Sequence, residues 1–598
     1  MTTENTKTKK GVNMIVENLP RFTADFETAT WLKDETYVWA WATCDIETNE
    51  IRTGNNITDF FVFCEWYHNP IIYFHNLRFD GEFLLHYLNS RNFRQLKPNE
   101  EKKDRTYRTV INNMGLWYQI EVYFKVGNKQ VKKVTFLDSL KILPFSVEKI
   151  AENYGIEEKK LTLDYKKERE RGHKLTPEEE NYIRHDVLIT AKALKFTFDL
   201  GLKKNTLAAN ALENFTQTIG RDLFEELFVH LPVNVDKDIR QSYKGGWNYL
   251  NPIYKEKEVK NGSVIDCNSL YPFVMVKYPI PYGYPKFFKG QYKYDSNYPL
   301  YVQQITCKFE LKEGYLPTLA RKGIGLYANN EYLTSSHDDF KTLTLTSIDL
   351  ELFLKHYNVT DLTYNSGWKF KSIKNVFKQY VDQWAAIKIE ATKRGNKVLR
   401  TTAKLMLNAL YGKMATALEE QTKSAVVING VMHYELNEVG EKKGVYLPAG
   451  TFITAAARKE TIETAQKVKD YSLHKYGKDL FYYSDTDSVH TGLKPEELKE
   501  IVQIDDTLIG AWKIENTFKK AKFIKQKCYI EDTNEDGIKI TCAGMPQTCW
   551  KYVEWKTFKT GFTCKGKLAY RHVKGGVILE DTYFTIRDEK LKKDIAKF

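Results

Sequence analysis

Apolar and polar positions follow two different periods in the first third of the chain. Short apolar runs of strand type alternate there with segments in which apolar residues recur at helical spacing. The strand-like runs cover residues 37–44, 71–75 and 134–137, and the helical segments cover residues 83–88, 147–153 and 177–194. This alternation predicts an α/β domain over residues 14–203. The highly charged stretch 157–174 predicts a solvated loop or the edge of a subdomain.

The pattern becomes mixed α+β after residue 204. Apolar residues at helical spacing extend over residues 376–414, and Arg394-Gly395-Asn396 interrupts them, which predicts two helices joined by a turn. Residues 542–598 are rich in strand-like runs and contain the pair Gly575-Gly576. Residues 1–13 are polar and rich in Lys and Thr, which predicts a disordered tail.

Composition narrows the class of protein. A chain of 598 residues is too long for one hydrophobic core, and 42% hydrophobic with 28% charged residues is typical of a folded globular protein. The net charge of +13 and the aromatic content of 14% fit a nucleic-acid partner. No apolar run approaches the roughly 20 residues of a transmembrane helix. The eight cysteines lack zinc-ligand spacing, and we expect a reducing cytoplasm rather than a disulfide framework.

Two acidic motifs near the N-terminus have the geometry of a metal site. Asp25 and Glu27 are two positions apart in a strand-like run, so both side chains face the same way. Asn76 follows the apolar run 71–75 and is expected to cap a helix, which places Asp80 one turn further along. Either motif alone is common on protein surfaces.

A third motif lies on a helix whose start is marked in the sequence. Thr176, Pro177 and Glu179 form the pattern of a capping box with proline at the first helical position. Tyr182 and Asp186 then share one helix face. With the two motifs above, the chain supplies about the number of carboxylates that two Mg²⁺ ions need to clamp a phosphodiester and an attacking water. Tyr182 is placed to orient that water.

A second acidic cluster is predicted from two turns further along the chain. The apolar run 480–490 places Asp485 and Asp487 in the turn of a hairpin, and the segment 264–272 ends an apolar strand at Asp266. Together the three aspartates could hold two Mg²⁺ ions. Such ions would activate a primer 3′-hydroxyl and neutralise a triphosphate, so the sequence predicts a phosphoryl-transfer site.

One face of the predicted helix 400–414 adds polar groups to this site. Lys404, Asn408 and Tyr411 occupy positions i, i+4 and i+7, whereas Leu407 and Leu410 point toward a core. A lysine on that face can bind a triphosphate, and a tyrosine can pack against a new base pair. An ordinary solvated helix face is the alternative for this segment.

In this order and spacing, the motifs resemble those of family B DNA polymerases. The first cluster resembles the DEDD-type proofreading exonucleases of that family, and the second cluster resembles its polymerase motifs A, B and C. Tyr243-Lys244-Gly245-Gly246 matches the Tyr-x-Gly-Gly motif, and Lys527-Cys528-Tyr529 matches the Lys-x-Tyr motif. Long spacers after motifs A and B are similar to those of the protein-primed branch found in small tailed bacteriophages. The resemblance covers about residues 20–585.

The resemblance implies a role for each matching residue. The implied metal ligands are Asp25, Glu27, Asp80, Asp186, Asp266, Asp485 and Asp487, with Tyr182 and Lys160 assisting the nuclease reaction. The implied DNA-binding residues are Thr28, His75, Asn76, Phe79, Ser139, Leu140, Tyr243, Gly245, Gly246, Lys527 and Tyr529. The implied nucleotide-binding residues are Tyr271, which would exclude the ribose 2′-hydroxyl, and Arg400, Lys404, Asn408 and Tyr411. Either Lys388 or Lys393 would be a third phosphate-binding cation.

The implied fold is an α/β exonuclease domain of the RNase H-like type, followed by an α+β right-hand polymerase with palm, fingers, thumb and two insertion subdomains. The predicted boundaries are 1–13 for the tail, 14–203 for the exonuclease, 204–277 and 447–541 for the palm, 278–375 for the first insertion, 376–414 for the fingers, 415–446 for the second insertion, and 542–598 for the thumb and C-terminal tail. We expect the first insertion to guide a priming protein and the second to support strand displacement and processivity.

The implied function is DNA-directed DNA synthesis from a protein primer, with 3′–5′ proofreading and intrinsic strand displacement. Two Mg²⁺ ions are expected at each site, with Mn²⁺ as an alternative. The expected partners are template and primer DNA, deoxynucleoside triphosphates (dNTPs) and a terminal priming protein, and the expected state is a monomer in the host bacterium's cytoplasm without membrane contact. The alternatives are an RNA-primed family B polymerase, a stand-alone exonuclease, and a non-catalytic nucleic-acid-binding relative.

Overall fold

The computed structural model describes residues 19–587 except 98–99, 126–130, 322–328 and 443. The predicted N-terminal tail therefore lies outside the described residues. The chain divides into two compact units. Unit 1 consists of the residues up to Gly201 together with Gln421–Glu438 and His572–Ile578, and unit 2 contains the remainder.

Unit 1 is an α/β domain, as the alternating pattern predicts. Its elements are β1 (Arg21–Thr28), β2 (Val38–Asp45), β3 (Ile51–Gly54), α1 (Ile57–Trp66), β4 (Ile71–Phe74), α2 (Leu77–Ser90), β5 (Arg94–Gln95), β6 (Thr106–Ile111), β7 (Trp117–Lys125), β8 (Val131–Asp138), α3 (Val147–Tyr154) and α4 (Pro177–Asp199). The strands form one sheet in the order β3-β2-β1-β4-β8-β7-β6-β5. Because β1, β4 and β8 run parallel, their carboxyl ends meet at one edge.

The predicted elements of this unit are confirmed, with one difference in detail. Helix α2 begins at Leu77, directly after Asn76 as the sequence predicts, and the helical segment 83–88 forms its later turns. The charged stretch 157–174 contains no helix or strand, as predicted, but it is not wholly solvated. Arg169 is only 2% exposed, and its guanidinium donates to the Glu179 carboxylate at 2.8 Å.

The first half of unit 2 begins with three helices, and antiparallel strands and further helices follow them. Its elements are α5 (Leu207–Ile219), α6 (Arg221–Leu227), α7 (Val233–Arg240), β9 (Asn248–Leu250), β10 (Glu258–Cys267), α8 (Leu270–Lys277), β11 (Ile280–Lys289), β12 (Leu300–Leu311), β13 (Ala320–Arg321), β14 (Glu331–Tyr332), β15 (Lys341–Thr346), α9 (Ser347–His356), β16 (Tyr357–Ile373), α10 (Lys378–Lys393) and α11 (Lys397–Met414). Helices α10 and α11 confirm the predicted pair of helices and the turn between them.

The second half contains one long helix and several hairpins. Its elements are β17 (Glu419–Ile428), β18 (Val431–Glu441), α12 (Leu447–Tyr476), β19 (Phe481–Asp485), β20 (Ser488–Thr491), α13 (Pro495–Ile501), β21 (Trp512–Lys525), β22 (Cys528–Thr533), β23 (Gly537–Cys542), β24 (Thr563–Val573) and β25 (Gly576–Thr585). Most of hairpin β17–β18 and the turn of hairpin β24–β25 nevertheless belong to unit 1. Three short 3-10 helices cover Ser139–Lys141, Pro252–Tyr254 and Gln547–Tyr552.

Two sheets form the framework of unit 2. The larger sheet has the order β23-β22-β21-β10-β20-β19-β9, and the pairs along it are antiparallel. A four-stranded sheet has the order β11-β16-β12-β15. Helix α12 buries most of its first half in the main hydrophobic core of this unit, together with residues of α8, α10 and α11. The larger sheet is therefore anchored by the helices that lie behind it.

The C-terminal segment contains one covalent link that the composition did not lead us to expect. Cys549 and Cys564 form a disulfide within a small buried cluster that also includes Cys528. The scattered cysteines do not form the pattern of a framework with several bridges, and a single local pair leaves no such pattern in the sequence. Among the described residues, no helix is both long and apolar enough to cross a membrane.

Close strand packing at Gly262 in β10 gives a stability prediction. An added Cβ would lie 2.2 Å from Phe518 Cζ and 2.4 Å from the Thr491 carbonyl oxygen. We expect Gly262→Ala to lower the free energy of unfolding by about 1–3 kcal/mol, because the neighbours must move. The matched control is Gly412→Ala in α11, where nothing lies within 4 Å, and it should raise stability by up to about 1 kcal/mol. Chemical denaturation measures both, and equal effects would contradict the packing argument.

Candidate active sites

The first acidic cluster gathers around strand β1. Asp25 and Glu27 are on this strand, which lies between β2 and β4 in the sheet. Asp80 is in the first turn of α2, directly after β4, and Asp186 is in α4. The structure therefore brings the three predicted nuclease motifs together. Asp25 is half-buried and the other carboxylates are buried.

Burial and mutual repulsion dominate the electrostatics of this cluster. Burial, reinforced by the charge of Asp186, raises the pKa of Asp25 to about 7. The pKa of Glu27 rises well above its usual value through burial and the charges of Asp25 and Asp186. Burial and Asp25 raise the pKa of Asp80 in the same way. Such carboxyl groups lose their protons readily only when a cation lies beside them.

A lysine and a pair of tyrosines border the same carboxylates. Lys160 Nζ donates to Asp186 Oδ2 at 3.0 Å, so this residue of the charged loop does reach the cluster. The hydroxyls of Tyr165 and Tyr182 are 2.6 Å apart. Burial and the charge of Glu27 raise the pKa of the Tyr182 hydroxyl, which therefore stays protonated. The structure thus places Lys160 and Tyr182 beside the carboxylates, and their roles in the reaction stay predictions.

The loop that carries Lys160 and Tyr165 is held by a buried ion pair. Thr176 and Glu179 form the predicted capping box at the start of α4. The Glu179 carboxylate also accepts a bond from Arg169, whose guanidinium donates in turn to the carbonyl of Asp164 at 2.8 Å. Sequence reasoning missed Arg169, because one cation among many in a charged stretch gives no signal that it is buried.

The predicted strand-binding residues meet where the parallel strands end. His75 follows β4, and its Nδ1 lies 3.0 Å from Ser139 Oγ, while its Nε2 donates to the Phe145 carbonyl at 2.7 Å. Thr28 ends β1, and Leu140 belongs to the short helix after β8. Phe79 lies beside Asp80 on the first turn of α2. These residues therefore line one edge of the sheet.

The predicted cap at Asn76 is wrong in one respect. Asn76 occupies the N-cap position of α2, but its φ is 78° and its side chain makes no capping hydrogen bond. The backbone N–H groups of Asn76 and Leu77 instead donate to Asp138 Oδ1, at 3.1 and 3.4 Å. A left-handed asparagine at a helix start leaves capping to a carboxylate from another strand, which the local sequence cannot indicate.

The second acidic cluster lies at the centre of the larger sheet of unit 2. Asp266 near the end of β10 pairs with Ser488, and Ser488 pairs in turn with Asp485 across the β19–β20 hairpin. The backbone N–H of Cys267 donates to the carbonyl of Asp487 at 2.8 Å. The ladder thus brings the three predicted aspartates together on neighbouring strands.

Like charges and nearby lysines shape this second cluster as well. Burial, with the added charge of Asp266, raises the pKa of Asp487 to about 7. Burial also raises the pKa of Asp266, although Lys513 Nζ at 3.2 Å opposes the shift. Lys527 Nζ lies 3.0 Å from Asp485 Oδ1. The charge of Glu515 raises the pKa of both Asp266 and Asp487.

The sequence analysis did not identify Lys513 and Glu515 as members of this cluster. Both are on β21, where Lys513 pairs with Asp266 in the ladder. The ladder is irregular at Glu515, which has no partner on β10, but the charge of Glu515 acts on both Asp266 and Asp487, so it lies near this cluster. A single sequence does not show which strand will lie beside β10, and therefore gives no reason to connect these residues with Asp266.

The predicted nucleotide-binding residues lie on α8 and α11. The rings of Tyr271 and Tyr411 stack with centroids 3.7 Å apart and an angle of 9° between their planes. Lys404 and Asn408 are exposed on α11, as the predicted polar face requires, and Arg400 is exposed one turn earlier. Aromatic stacking and free cations on adjoining helices are the groups that a nucleoside triphosphate needs.

The structure favours Lys388 over Lys393 as the third cation. Burial, then the charges of Lys404, Lys513 and Arg400, lowers the pKa of Lys388, which places it within this group of cations. Lys388 Nζ also lies 3.4 Å from Ser269 Oγ, next to α8. Lys393 is exposed at the C-terminal end of α10.

The Tyr243–Gly246 loop is held beside the aspartate hairpin. A Cβ added to Gly246 would lie 2.7 Å from Thr486 Cγ2, so glycine is required for this approach. Arg458 on α12 donates to the carbonyls of Lys244 and Gly245 at 2.6 and 3.0 Å. Its guanidinium also binds Asp349 of α9 in a bidentate pair. Arg458 was missed, because a buried arginine in a long helix has no local signature.

The two residues of the predicted Lys-x-Tyr motif lie near the same hairpin. The backbone N–H of Lys527 donates to the Tyr483 hydroxyl at 2.9 Å, and its ammonium pairs with Asp485. Tyr529 is buried, with its ring 5.4 Å from that of Tyr483. Lys527 is thus positioned by direct bonds to the strand that ends in Asp485.

Both clusters have a donor set that fits divalent cations. Among the described residues, no three His, Cys, Asp or Glu side chains converge closely enough to hold an ion as they stand. A lysine ammonium lies against a carboxylate in each cluster instead. One carboxylate oxygen each of Asp80 and Asp186 is buried without a hydrogen-bond partner, and the repulsion described above adds to that cost. Hard divalent ions prefer such oxygen ligands.

Comparison with known proteins identifies the family. The chain matches the model of DNA polymerase type B, organellar and viral, over residues 66–171 and 162–492. It therefore belongs to the type B DNA polymerases of this organellar and viral group.

Individual relatives are similar along nearly the whole chain. The DNA polymerase of Bacillus phage phi29 is 39% identical over 595 residues, covering 96% of this chain and 100% of that protein. The DNA polymerase of Streptococcus phage Cp-1 is 31% identical, with coverage of 95% and 98%. A solved phi29 DNA polymerase structure matches with a TM-score of 0.88 at 38% identity, covering 95% of this chain and 100% of that one. The predicted fold and the predicted resemblance to phage polymerases are confirmed.

The raised pKa values give a prediction about magnesium and pH. A carboxyl whose pKa is raised in the folded state destabilises that state once it ionises, so the metal-free protein should lose stability as pH rises from 3.8 through about 7. Mg²⁺ binds the ionised form, so it should raise Tm more at pH 8 than at pH 6. Differential scanning fluorimetry measures this. Asp25→Asn combined with Asp487→Asn should reduce the pH dependence, and equal Mg²⁺ shifts at both pH values would contradict the account.

Proposed function

We propose that the protein replicates DNA by template-directed addition of deoxynucleotides, edits the product with a 3′–5′ exonuclease, and starts from a protein primer. The observation that supports synthesis most strongly is the meeting of Asp266, Asp485 and Asp487 with a group of cations on α10 and α11. A solved phi29 DNA polymerase is bound to primer-template DNA and incoming nucleotides, and its TM-score with this chain is 0.87. We extend those substrates to this protein.

In synthesis, the chain's own residues bind and orient the nucleotide. Lys404, Arg400 and Lys388 attract the triphosphate, because a group of cations lowers the energy of a bound polyanion. The stacked rings of Tyr271 and Tyr411 form a flat surface against the new base pair, and Tyr271 excludes a ribose 2′-hydroxyl. The Tyr243–Gly246 loop and Lys527, which flank the aspartate hairpin, contact the template and the primer end.

In editing, a frayed primer strand binds along the edge where β1, β4 and β8 end. Phe79 stacks on a base, and Thr28, His75, Asn76, Ser139 and Leu140 contact the strand. The Tyr182 hydroxyl, held by Tyr165, orients the attacking water. Lys160 neutralises charge that develops beside Asp186. Divalent ions, when bound by the carboxylates of either site, would offset the charge on the reacting phosphate and favour ionisation of the attacking oxygen.

The remaining parts of the proposal rest on the resemblance to phage polymerases. Residues 278–375 form the first insertion, which would guide a terminal priming protein. Residues 415–446 form the second insertion, which would let the enzyme displace the strand ahead of it. Two Mg²⁺ ions would serve each site, with Mn²⁺ as an alternative. The protein would act as a monomer in the cytoplasm of the host bacterium, and the predicted subdomain boundaries stay part of this proposal.

Separate substitutions in the two clusters test the proposal on one substrate, a primed single-stranded circle with Mg²⁺ and dNTPs. The unaltered protein should make product longer than the circle. Asp485→Ala or Asp487→Ala should reduce extension by about 10²–10³-fold or more, because each removes a charge the transition state requires, and should leave degradation of single strands intact. Asp25→Ala combined with Asp80→Ala should remove degradation and raise misincorporation.

Asp506→Asn, at an exposed carboxylate, is the matched control and should change neither activity. Normal extension by the Asp485 or Asp487 variant would refute the synthetic site. Persistent degradation by the Asp25/Asp80 variant would place the nuclease elsewhere. Product that stops at the length of the circle would refute intrinsic strand displacement.

A further inference from the structure

A buried carboxylate on α2 binds two segments that come from distant parts of the chain. Glu82 is 3% exposed, yet both of its oxygens have a partner. The Tyr434 hydroxyl on β18 donates to Oε2 at 2.6 Å, and His572 Nε2 on β24 lies 3.1 Å from Oε1. The rings of Tyr434 and His572 are 5.8 Å apart, and Tyr434 also contacts Trp117 edge to face. Glu82, Tyr434 and His572, which we call the Glu82 node, all belong to unit 1.

Backbone bonds dock the turn of the β24–β25 hairpin next to the node. The Thr36 N–H donates to the Lys574 carbonyl at 2.8 Å, and the Gly575 N–H donates to His86 Nε2 at 3.1 Å. A Cβ on Gly575 would lie 1.9 Å from the Thr36 carbonyl oxygen, and one on Gly576 would lie 2.5 Å from the ring of Phe83. The two glycines therefore let the turn lie directly on α2 and on the segment after β1.

Strand β17 of the β17–β18 hairpin contacts the α/β domain through similar bonds. The Asn113 N–H donates to the Gln421 carbonyl at 2.8 Å, and Gln95 Oε1 accepts from the Ala425 N–H at 3.0 Å. Each hairpin thus has its own backbone contacts. Glu82 binds a side chain from each hairpin, and His86 bonds to the backbone of Gly430 as well as that of Gly575. Removing one partner would leave a buried carboxylate oxygen unpaired, which costs more than the bond itself contributes.

The position of Glu82 on α2 connects this docking with the editing site. The first turn of α2 carries Phe79 and Asp80, and Glu82 follows two residues after Asp80 on the same helix. A shift of about 1 Å in a reacting group can reduce an enzyme's rate about 10²-fold. A helix whose second turn is held by two hairpins therefore has its first turn fixed as well.

We propose that Glu82 is a positioning residue of the editing site: by binding Tyr434 and His572 together, it holds both hairpins on α2 and so keeps Phe79 and Asp80 in place. This inference rests on the proposed exonuclease function. It differs from a general stabilising role, because synthesis depends on aspartates carried by other strands.

Single-turnover degradation of a single-stranded oligonucleotide, measured beside single-nucleotide addition on a primer–template, tests the inference. Glu82→Ala should lower the single-turnover rate constant of degradation about tenfold or more, because the first turn of α2 is no longer held. The rate of nucleotide addition should change less than about twofold. Glu82→Gln keeps the size and a hydrogen bond to each partner, so it should restore most of the rate. Tyr434→Phe and His572→Phe should each lower degradation, and neither should add to the loss in Glu82→Ala. Glu148→Ala, at an exposed site on α3, is the matched control.

Hydrogen exchange at the amides of Thr36 and Gly575 reports the docking independently of any activity. Both should exchange about tenfold faster in Glu82→Ala, because they lose the hydrogen bonds of the docked turn. Faster exchange with unchanged degradation would overturn the positioning role, and so would equal losses of degradation, addition and Tm. If the unaltered protein degraded no single strands, the proposed exonuclease would fail and this role with it, whereas the exchange result would still show whether Glu82 docks the hairpins.

Discussion

Electrostatic repulsion between buried carboxylates is the constraint on which both candidate sites depend. Asp25 and Asp487 both have pKa values raised to about 7, and in each case burial is the main cause and a neighbouring aspartate the next. Such groups separate unless the backbone holds them, and each cluster is accordingly built on a strand in the interior of a sheet. Strand β1 lies between β2 and β4, and β10 lies between β20 and β21. Lysines complete the arrangement, since one ammonium group pairs with Asp186 and another with Asp266.

The sequence was most informative where a motif and its secondary structure coincide. The strand pair Asp25 and Glu27, the capping box at Thr176 and the hairpin that carries Asp485 and Asp487 could all be predicted, because each depends on residues a few positions apart. The rest depends on partners that are distant in the chain. Some groups act across strands or from inside the core, and no local sequence pattern indicates them. They are Arg169, Arg458, Lys513, Glu515 and the carboxylate that replaces Asn76 as the cap of α2. The disulfide between Cys549 and Cys564 is of the same kind.

The composition of unit 1 shows how the two halves of the sequence are combined. Two short segments from the second half of the chain, Gln421–Glu438 and His572–Ile578, pack with the α/β domain. The contacts that receive them are specific, since they include backbone hydrogen bonds, two glycines that permit close approach, and a buried carboxylate with both oxygens bound. Elements assigned to synthesis by the resemblance to phage polymerases therefore contribute directly to the domain assigned to editing.

The central claim is that each carboxylate cluster binds its own divalent ions. Electron paramagnetic resonance of bound Mn²⁺ tests it directly, by titrating the unaltered protein and two variants, Asp25→Asn with Asp80→Asn and Asp485→Asn with Asp487→Asn. Substitution with asparagine removes charge and keeps shape, so each variant should lose one set of bound ions and retain the other. A variant that loses both sets, or an unaltered protein that binds no more Mn²⁺ than either variant, would contradict the account.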